Sequence, residues 1–168
     1  MNDSWGYAEN DCNWKTPYDV ITLLLRGAAQ GGNLLINVGP DEAGNIPEAS
    51  QQILSEVGKW LDKNRETLLT DTRSPFSWSN SVNNVCVRGN TVYLPLKFEA
   101  SDICWAELKN KVLQVRQLDT GKELKFEQVE NRLFIHGIEC SMPWTVVAVE
   151  VEGSPEPATD QTTFWIPN

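Results

Sequence analysis

The sequence has 168 residues, of which 40% are hydrophobic and 22% are charged, and its formal net charge at pH 7 is −9. This composition is typical of a globular protein and excludes a disordered chain, and the length suits one ordinary domain, or one small domain with part of another. The negative charge and the absence of a basic stripe argue against nucleic acid and anionic membrane surfaces as partners. An uncharged sugar, in contrast, is compatible with a negatively charged protein.

Targeting and metal-binding signals are absent from the sequence pattern. No stretch approaches the roughly 20 apolar residues of a membrane helix, and the first residues lack the basic and apolar regions of a signal peptide, so neither is expected. The cysteines have no C-x-x-C spacing, which argues against a zinc site, and free thiols are expected with disulfide pairing left open; they are Cys12, Cys86, Cys104 and Cys140. No cofactor is expected.

The first predicted element is a helix that begins after Thr16. Thr16 and Asp19 stand where the two partners of a capping box belong, and Pro17 suits the first helical position. Apolar residues then recur with helical spacing, and the pair of glycines at 31 and 32 predicts the helix end. The apolar positions are Val20, Ile21, Leu24, Leu25 and Ala28.

Residues 33–38 are a short apolar run with glycine on both sides. Such a run predicts a strand that is buried on both faces, as in a parallel sheet or barrel. Active sites in such folds lie at the carboxyl ends of the strands, which directs attention to Asn37 and to the loop at residues 39–46.

A second helix is predicted from Ile46-Pro47 to between Asn64 and Leu68. Its apolar residues follow one helical stripe, namely Ile53, Leu54, Val57, Trp60 and Leu61. Residues 70–80 are rich in Ser, Thr, Asp and Pro and are predicted to be a linker.

Beyond the linker the hydrophobic period changes to 2, with turn signals between the runs, which predicts an antiparallel β-sandwich over residues 81–168. The predicted strands are residues 85–88, 91–97, 112–118, 122–128, 132–136 and 145–152. Trp78, Trp105, Trp144 and Trp165 are expected in the core or at an edge of this sandwich, and His136 on its surface.

The predicted fold class is therefore α+β: a partial (β/α) barrel segment of two helices and one buried strand over residues 1–69, followed by the sandwich. Two helices and one strand cannot close a core alone. Homo-oligomerisation or a complementing chain is expected to cover them, because open strand edges otherwise promote aggregation.

The order and spacing of several motifs resemble the end of the catalytic barrel of α-L-fucosidases, glycoside hydrolase family 29. The motifs are Asn-Asp-Ser-Trp-Gly-Tyr at residues 2–7, Leu-Leu at 23–24, Gly-Asn-Leu-Leu-Ile-Asn-Val-Gly-Pro at 32–40, Gly-Asn-Ile-Pro at 44–47 and Gly-Lys-Trp-Leu-Asp-Lys-Asn at 58–64. Residues 90–94, 112–121 and 144–147 resemble the C-terminal β-sandwich of the same family.

The resemblance implies retaining hydrolysis of terminal α-L-fucosyl groups, with a fucoside or fucosylated glycan as substrate. Such enzymes use two carboxyl groups about 5–5.5 Å apart, and the family's usual nucleophile and acid/base correspond to sequence before Met1. Trp5 resembles the aromatic residue that packs on the apolar face and C6 methyl of the sugar, and Tyr7 and Asn37 complete the predicted substrate-binding set.

Catalysis by this chain alone is left open. Its own carboxylate candidates are Asp41, Glu42 and Glu9, for which a solvated loop is the alternative interpretation. The sequence is thus interpreted as a truncated or short fucosidase-like hydrolase that lacks the usual carboxylates. The alternative is a non-catalytic carbohydrate-binding or assembly module. Family members are often secreted, periplasmic or lysosomal, and the compartment stays open.

Overall fold

The computed structural model describes residues 1–70, 72–76, 84–140 and 144–158. These residues form three layers, in which two helices cover one face of a four-stranded antiparallel sheet and a three-stranded sheet covers the other. Within this part of the chain no helix is long and apolar enough to cross a bilayer. Trp78 and Trp165 lie outside the described residues.

The two helices form where the sequence predicts them. Helix α1 spans Pro17–Ala29, and helix α2 spans Glu48–Asn64 and continues as a 3₁₀ helix over Arg65–Leu68. The Asp19 backbone N–H donates to Thr16 Oγ1 at 3.2 Å and the Thr16 N–H donates to Asp19 Oδ2 at 2.8 Å, which confirms the capping box. The chain leaves α1 through Gly31, whose φ of +70° is in the left-handed region that favours glycine.

The two sheets contain seven strands. These are β1 (Cys86–Arg88), β2 (Thr91–Leu96), β3 (Asp102–Trp105), β4 (Val112–Gln117), β5 (Lys125–Val129), β6 (Arg132–His136) and β7 (Thr145–Val151). The helix-side sheet has the order β1-β2-β7-β4 and the outer sheet the order β3-β6-β5, with antiparallel pairing throughout. The predicted sandwich is therefore present.

Two strand predictions differ from the structure. Strand β3, Asp102–Trp105, was missed because it begins on an exposed aspartate and only its last residue, Trp105, is fully buried. Strand β5 begins at Lys125 rather than at 122. Lys122 belongs to the preceding turn, where its carbonyl accepts from the Gln117 N–H at 2.8 Å and Gly121 has a φ of +69°.

Strand β7 shows how the helices obtain a core. Val147, Val149 and Val151 face the outer sheet and belong to the core between the sheets. Val146 and Ala148 point the other way and pack with the buried faces of the helices. Because both faces of β7 are covered, its sequence is almost continuously apolar instead of alternating. The helices thus close their core on the sandwich itself.

Trp144, directly before β7, fixes the helices to the sheet. The Trp144 ring stacks on Tyr18 of α1, with centroids 5.2 Å apart and planes inclined by 5°. Trp144 Nε1 donates to Thr22 Oγ1 at 3.2 Å, and the Trp144 carbonyl accepts from Trp60 Nε1 at 2.8 Å. Trp144 and Trp105 are each 1% exposed, which confirms that both are core residues.

The predicted buried strand at residues 33–38 does not form. The segment forms no strand, although its side chains alternate in burial as they do along an extended chain. Ile36 and Val38 pack against the helix-side core, whereas Leu35 is 87% exposed. A strand requires hydrogen bonds to a neighbouring strand, and within the described residues the exposed side of this segment has no such neighbour. The prediction of burial on both faces was wrong, although the α+β class is confirmed. We call residues 33–38 the extended segment.

The predicted linker is attached to both halves in its described part. The Ser74 N–H donates to the Ala29 carbonyl at 2.9 Å, and Phe76 packs edge-on against Trp105 with centroids 5.1 Å apart. The domain boundaries at residues 69 and 81 remain predictions.

Candidate functional site

Residues 2–13 form a loop that is organised around Asp11; we call it the Trp5 loop. The Ser4 N–H donates to Asp11 Oδ2 at 2.8 Å and the Asn13 N–H donates to Asp11 Oδ1 at 3.3 Å. The Asp11 N–H donates in turn to the Ala8 carbonyl at 3.0 Å. These bonds fold the loop back on itself and leave Trp5 82% exposed.

The Trp5 loop rests on the carboxyl end of the extended segment. Asn37 Nδ2 donates to the Trp5 carbonyl, and the Asn37 carbonyl accepts from the Met1 nitrogen at 2.8 Å. A Cβ atom at Gly39 would lie 2.6 Å from both the Gly6 carbonyl carbon and the Tyr7 nitrogen. Glycine is therefore required at position 39 for the two backbones to touch.

The structure brings together the three residues that the sequence analysis assigns to substrate binding. Trp5 and Tyr7 are 82% and 46% exposed at this end of the extended segment, and Asn37 holds the backbone of Trp5. The Asn37 side chain thus ties the Trp5 backbone to the extended segment, and contact of any of the three residues with a sugar stays a prediction.

A pocket of about 190 Å³ lies beside these residues, between the start of the chain, α1 and the extended segment. Val20, Leu23 and Leu35 give it an apolar wall, and Asp3 and Lys15 contribute charged groups. A small ligand with one apolar face and several polar groups matches this lining.

The carboxylate candidates are placed as loop residues. Asp41 Oδ1 accepts from the backbone N–H groups of Asn45 at 2.7 Å and Ala43 at 3.0 Å. The Asn45 backbone bond, with smaller contributions from the Asn45 side chain and the neighbouring backbone, holds the pKa of Asp41 below its ordinary value. A general acid needs a raised pKa, which Asp41 does not have. Its hydrogen bonds instead hold the turn at residues 41–45 together. Glu9 and Glu42 are exposed.

Other chemically active side chains lie outside this region. His136 Nδ1 is 2.8 Å from Asp102 Oδ1 across two strands of the outer sheet, and both side chains are about half exposed. The four cysteines are free, and burial raises the pKa of the Cys86 thiol to about 12.

Among the described residues no group of three or more His, Cys, Asp or Glu is placed to hold a metal ion.

The backbone contacts made by Asp11 and Gly39 were not predicted from the sequence, although Gly39 belongs to the loop at residues 39–46 to which the sequence analysis directs attention. Gly39 precedes Pro40 and was interpreted as part of a turn, because a close approach between distant backbones leaves no local signal. Asp11 lies in a polar, irregular loop, where spacing does not indicate which carboxylate closes the loop.

Comparison with known proteins identifies the class to which this architecture belongs, in which two helices flank an extended segment and pack on a C-terminal β-sandwich. The sequence model of the family described as Alpha-L-fucosidase matches residues 1–66. Human tissue α-L-fucosidase is 32% identical over 148 residues, which cover 84% of this chain and 28% of the relative.

Solved structures agree with this relationship. α-L-Fucosidase isoenzyme 1 from Paenibacillus thiaminolyticus superposes with a TM-score of 0.82 at 27% identity, over 90% of this chain and 38% of that protein. The α-L-fucosidase from Vibrio sp. strain EJY3 gives 0.81 at 28% identity, over 94% and 29%. The chain belongs to the α-L-fucosidase family, glycoside hydrolase family 29, and corresponds to its C-terminal portion. It spans 28% to 38% of the length of these three relatives and 19% of the length of the α-L-fucosidase of Dictyostelium discoideum, to which it is also similar.

Proposed function

We propose that this fucosidase-like chain forms one wall of a site for a terminal α-L-fucosyl group and does not itself supply the catalytic carboxylate pair. The observation that carries the proposal is the exposed Trp5 ring, whose backbone is held by Asn37 against the end of the extended segment. The α-fucosidase of Thermotoga maritima, which shares the fold with a TM-score of 0.70 at 23% identity, has been solved in complex with fucose.

The chemistry of L-fucose fits such a wall. The sugar has a C6 methyl group and an apolar ring face, which an aromatic side chain covers by apolar and CH–π contact. Tyr7, beside Trp5, adds a second ring with a hydroxyl group that can donate or accept a hydrogen bond. Indole and phenol rings are rigid, so they lose little conformational entropy when a ligand binds.

The carboxylates of the loops do not meet the requirements of hydrolysis. Retaining hydrolysis needs a nucleophile and a general acid on opposite sides of the scissile bond, and the acid must hold a proton near neutral pH. The pKa of Asp41 is lowered, which keeps it ionised, and Glu9 and Glu42 are exposed in loops. These features support a binding role over a catalytic one.

Fucose binding tests the proposal directly. We expect L-fucose to shift the NMR signals of the Trp5 indole and the Tyr7 amide with a Kd of about 1 mM or weaker, because a single wall provides few contacts. Trp5→Ala should abolish these shifts at Tyr7. D-Fucose is the matched control, with the same composition and the opposite handedness. Equal shifts with both enantiomers, or no shifts with L-fucose, would refute a fucose site.

Assembly is the second candidate function, and the exposed side of the extended segment favours it. Leu35 in this segment is 87% exposed, and exposed large apolar side chains mark interaction surfaces where they form contiguous patches. We propose that a second copy or a complementing chain covers this side. Sedimentation equilibrium across a concentration series distinguishes self-association from a stable monomer, and the monomer would count against self-association.

A further inference from the structure

The Trp5 backbone is held from both directions along the chain. On its carboxyl side the Trp5 carbonyl accepts from Asn37 Nδ2. On its amino side the N–H of the preceding residue, Ser4, donates to Asp11 Oδ2 at 2.8 Å. The Cα atom that carries the indole therefore lies between two fixed backbone groups, and only one of them is bonded to the extended segment, through the Asn37 side chain.

Asp11 makes the second attachment from within the loop. Its Oδ1 atom accepts from the Asn13 N–H at 3.3 Å, and its backbone carbonyl accepts from Asn2 Nδ2 at 3.3 Å. The same residue thus connects both ends of the Trp5 loop. A carboxylate suits this place because its two oxygens accept from several donors at once.

We propose that Asp11 is a positioning residue, which fixes the Trp5 indole in the orientation that receives the sugar. The inference rests on the proposed function of Trp5 as a sugar contact. Asp11 itself does not touch the ligand. Hydrogen bonds from the Ser4 side chain, followed by those from the Ser4, Asn13 and Asp3 backbones, hold the pKa of Asp11 below its ordinary value. The carboxylate is therefore ionised at neutral pH and accepts these bonds fully.

The consequence of losing the carboxylate follows from population arithmetic. If the released loop presents the indole correctly about one tenth of the time, the apparent Kd for fucose rises about tenfold. Global stability should change little, because Asp11 lies in a surface loop outside both hydrophobic cores. Asparagine keeps one acceptor oxygen, so Asp11→Asn should restore part of the binding.

The test compares Asp11→Ala, Asp11→Asn and the control Asp62→Ala, which removes an exposed carboxylate from α2. The ¹⁵N–¹H indole signal of Trp5 is recorded without sugar, and the Kd for L-fucose is then measured by titration. We expect Asp11→Ala to move or broaden the Trp5 signal and to weaken binding about tenfold, Asp11→Asn to be intermediate, and Asp62→Ala to resemble the unmodified protein.

The two readouts separate this inference from the proposed function. An unchanged Trp5 signal in Asp11→Ala overturns the positioning role, whether or not the protein binds fucose. Unchanged affinity in Asp11→Ala, in a protein that binds fucose through Trp5, overturns it as well. If the unmodified protein binds no fucose, the proposed sugar contact fails, and a displaced Trp5 signal in Asp11→Ala still supports the attachment of the loop by Asp11.

Discussion

Trp144→Ala should lower the free energy of unfolding by about 3–5 kcal/mol, as large-to-small changes of buried aromatic residues do. The indole is 1% exposed, stacks on Tyr18 and donates to Thr22, so its removal leaves a cavity between α1 and the helix-side sheet. For a chain of this size the loss corresponds to a decrease in Tm of roughly 10 °C. Urea unfolding followed by circular dichroism measures it.

The matched control is Trp5→Ala, which removes the same side chain from a position that is 82% exposed. This variant should stay within about 0.5 kcal/mol of the unmodified protein, because the ring has little packing to lose. Trp144→Phe should fall between the two, since it keeps most of the apolar volume and loses the indole N–H. Equal destabilisation by Trp144→Ala and Trp5→Ala would contradict the described packing.

Gly39→Ala should displace the Trp5 loop and weaken fucose binding at least about tenfold. The new Cβ atom would lie 2.6 Å from backbone atoms of Gly6 and Tyr7, and backbone cannot move aside as a flexible side chain can. The resulting strain should also cost about 1–3 kcal/mol of stability, the usual range for overpacking. Calorimetric titration with L-fucose and thermal unfolding give the two values.

Gly58→Ala provides the control for the same chemical change. Nothing lies within 4 Å of the Cβ position at Gly58 in α2, so this variant should gain about 0.5–1 kcal/mol from helix propensity and bind fucose unchanged. If Gly39→Ala bound fucose as well as Gly58→Ala, the contact between residues 39 and 6–7 would not position the site.

Local signals in the sequence were sufficient for the helices and for most of the sandwich. The capping box of Thr16 and Asp19 and the apolar stripe of α2 depend on residues within one or two turns, so they are visible without the fold. The change of hydrophobic period to 2 and the turn signals between the runs likewise indicated strand β7, although burial on both of its faces became clear only from the fold.

Features that depend on distant partners were predicted less well. The extended segment has the composition of a barrel strand, but composition cannot supply the neighbouring strand that its exposed side lacks within the described residues. The packing of Trp144 on Tyr18, across 126 positions of sequence, fixes the helices to the sandwich. That contact, like the approach of Gly39 to Gly6, appears only once the chain is folded.

The most direct test of the central claim is the hydrolysis of 4-nitrophenyl α-L-fucoside by the purified chain. We predict no release of nitrophenol above the rate without protein, together with binding of L-fucose, because the Trp5 loop offers a wall for the sugar and Asp41, Glu42 and Glu9 include no suitable acid. Turnover would contradict this if Asp41→Asn, Glu42→Gln or Glu9→Gln abolished it while the surface variant Asp62→Asn retained it, since one of those carboxylates would then be catalytic.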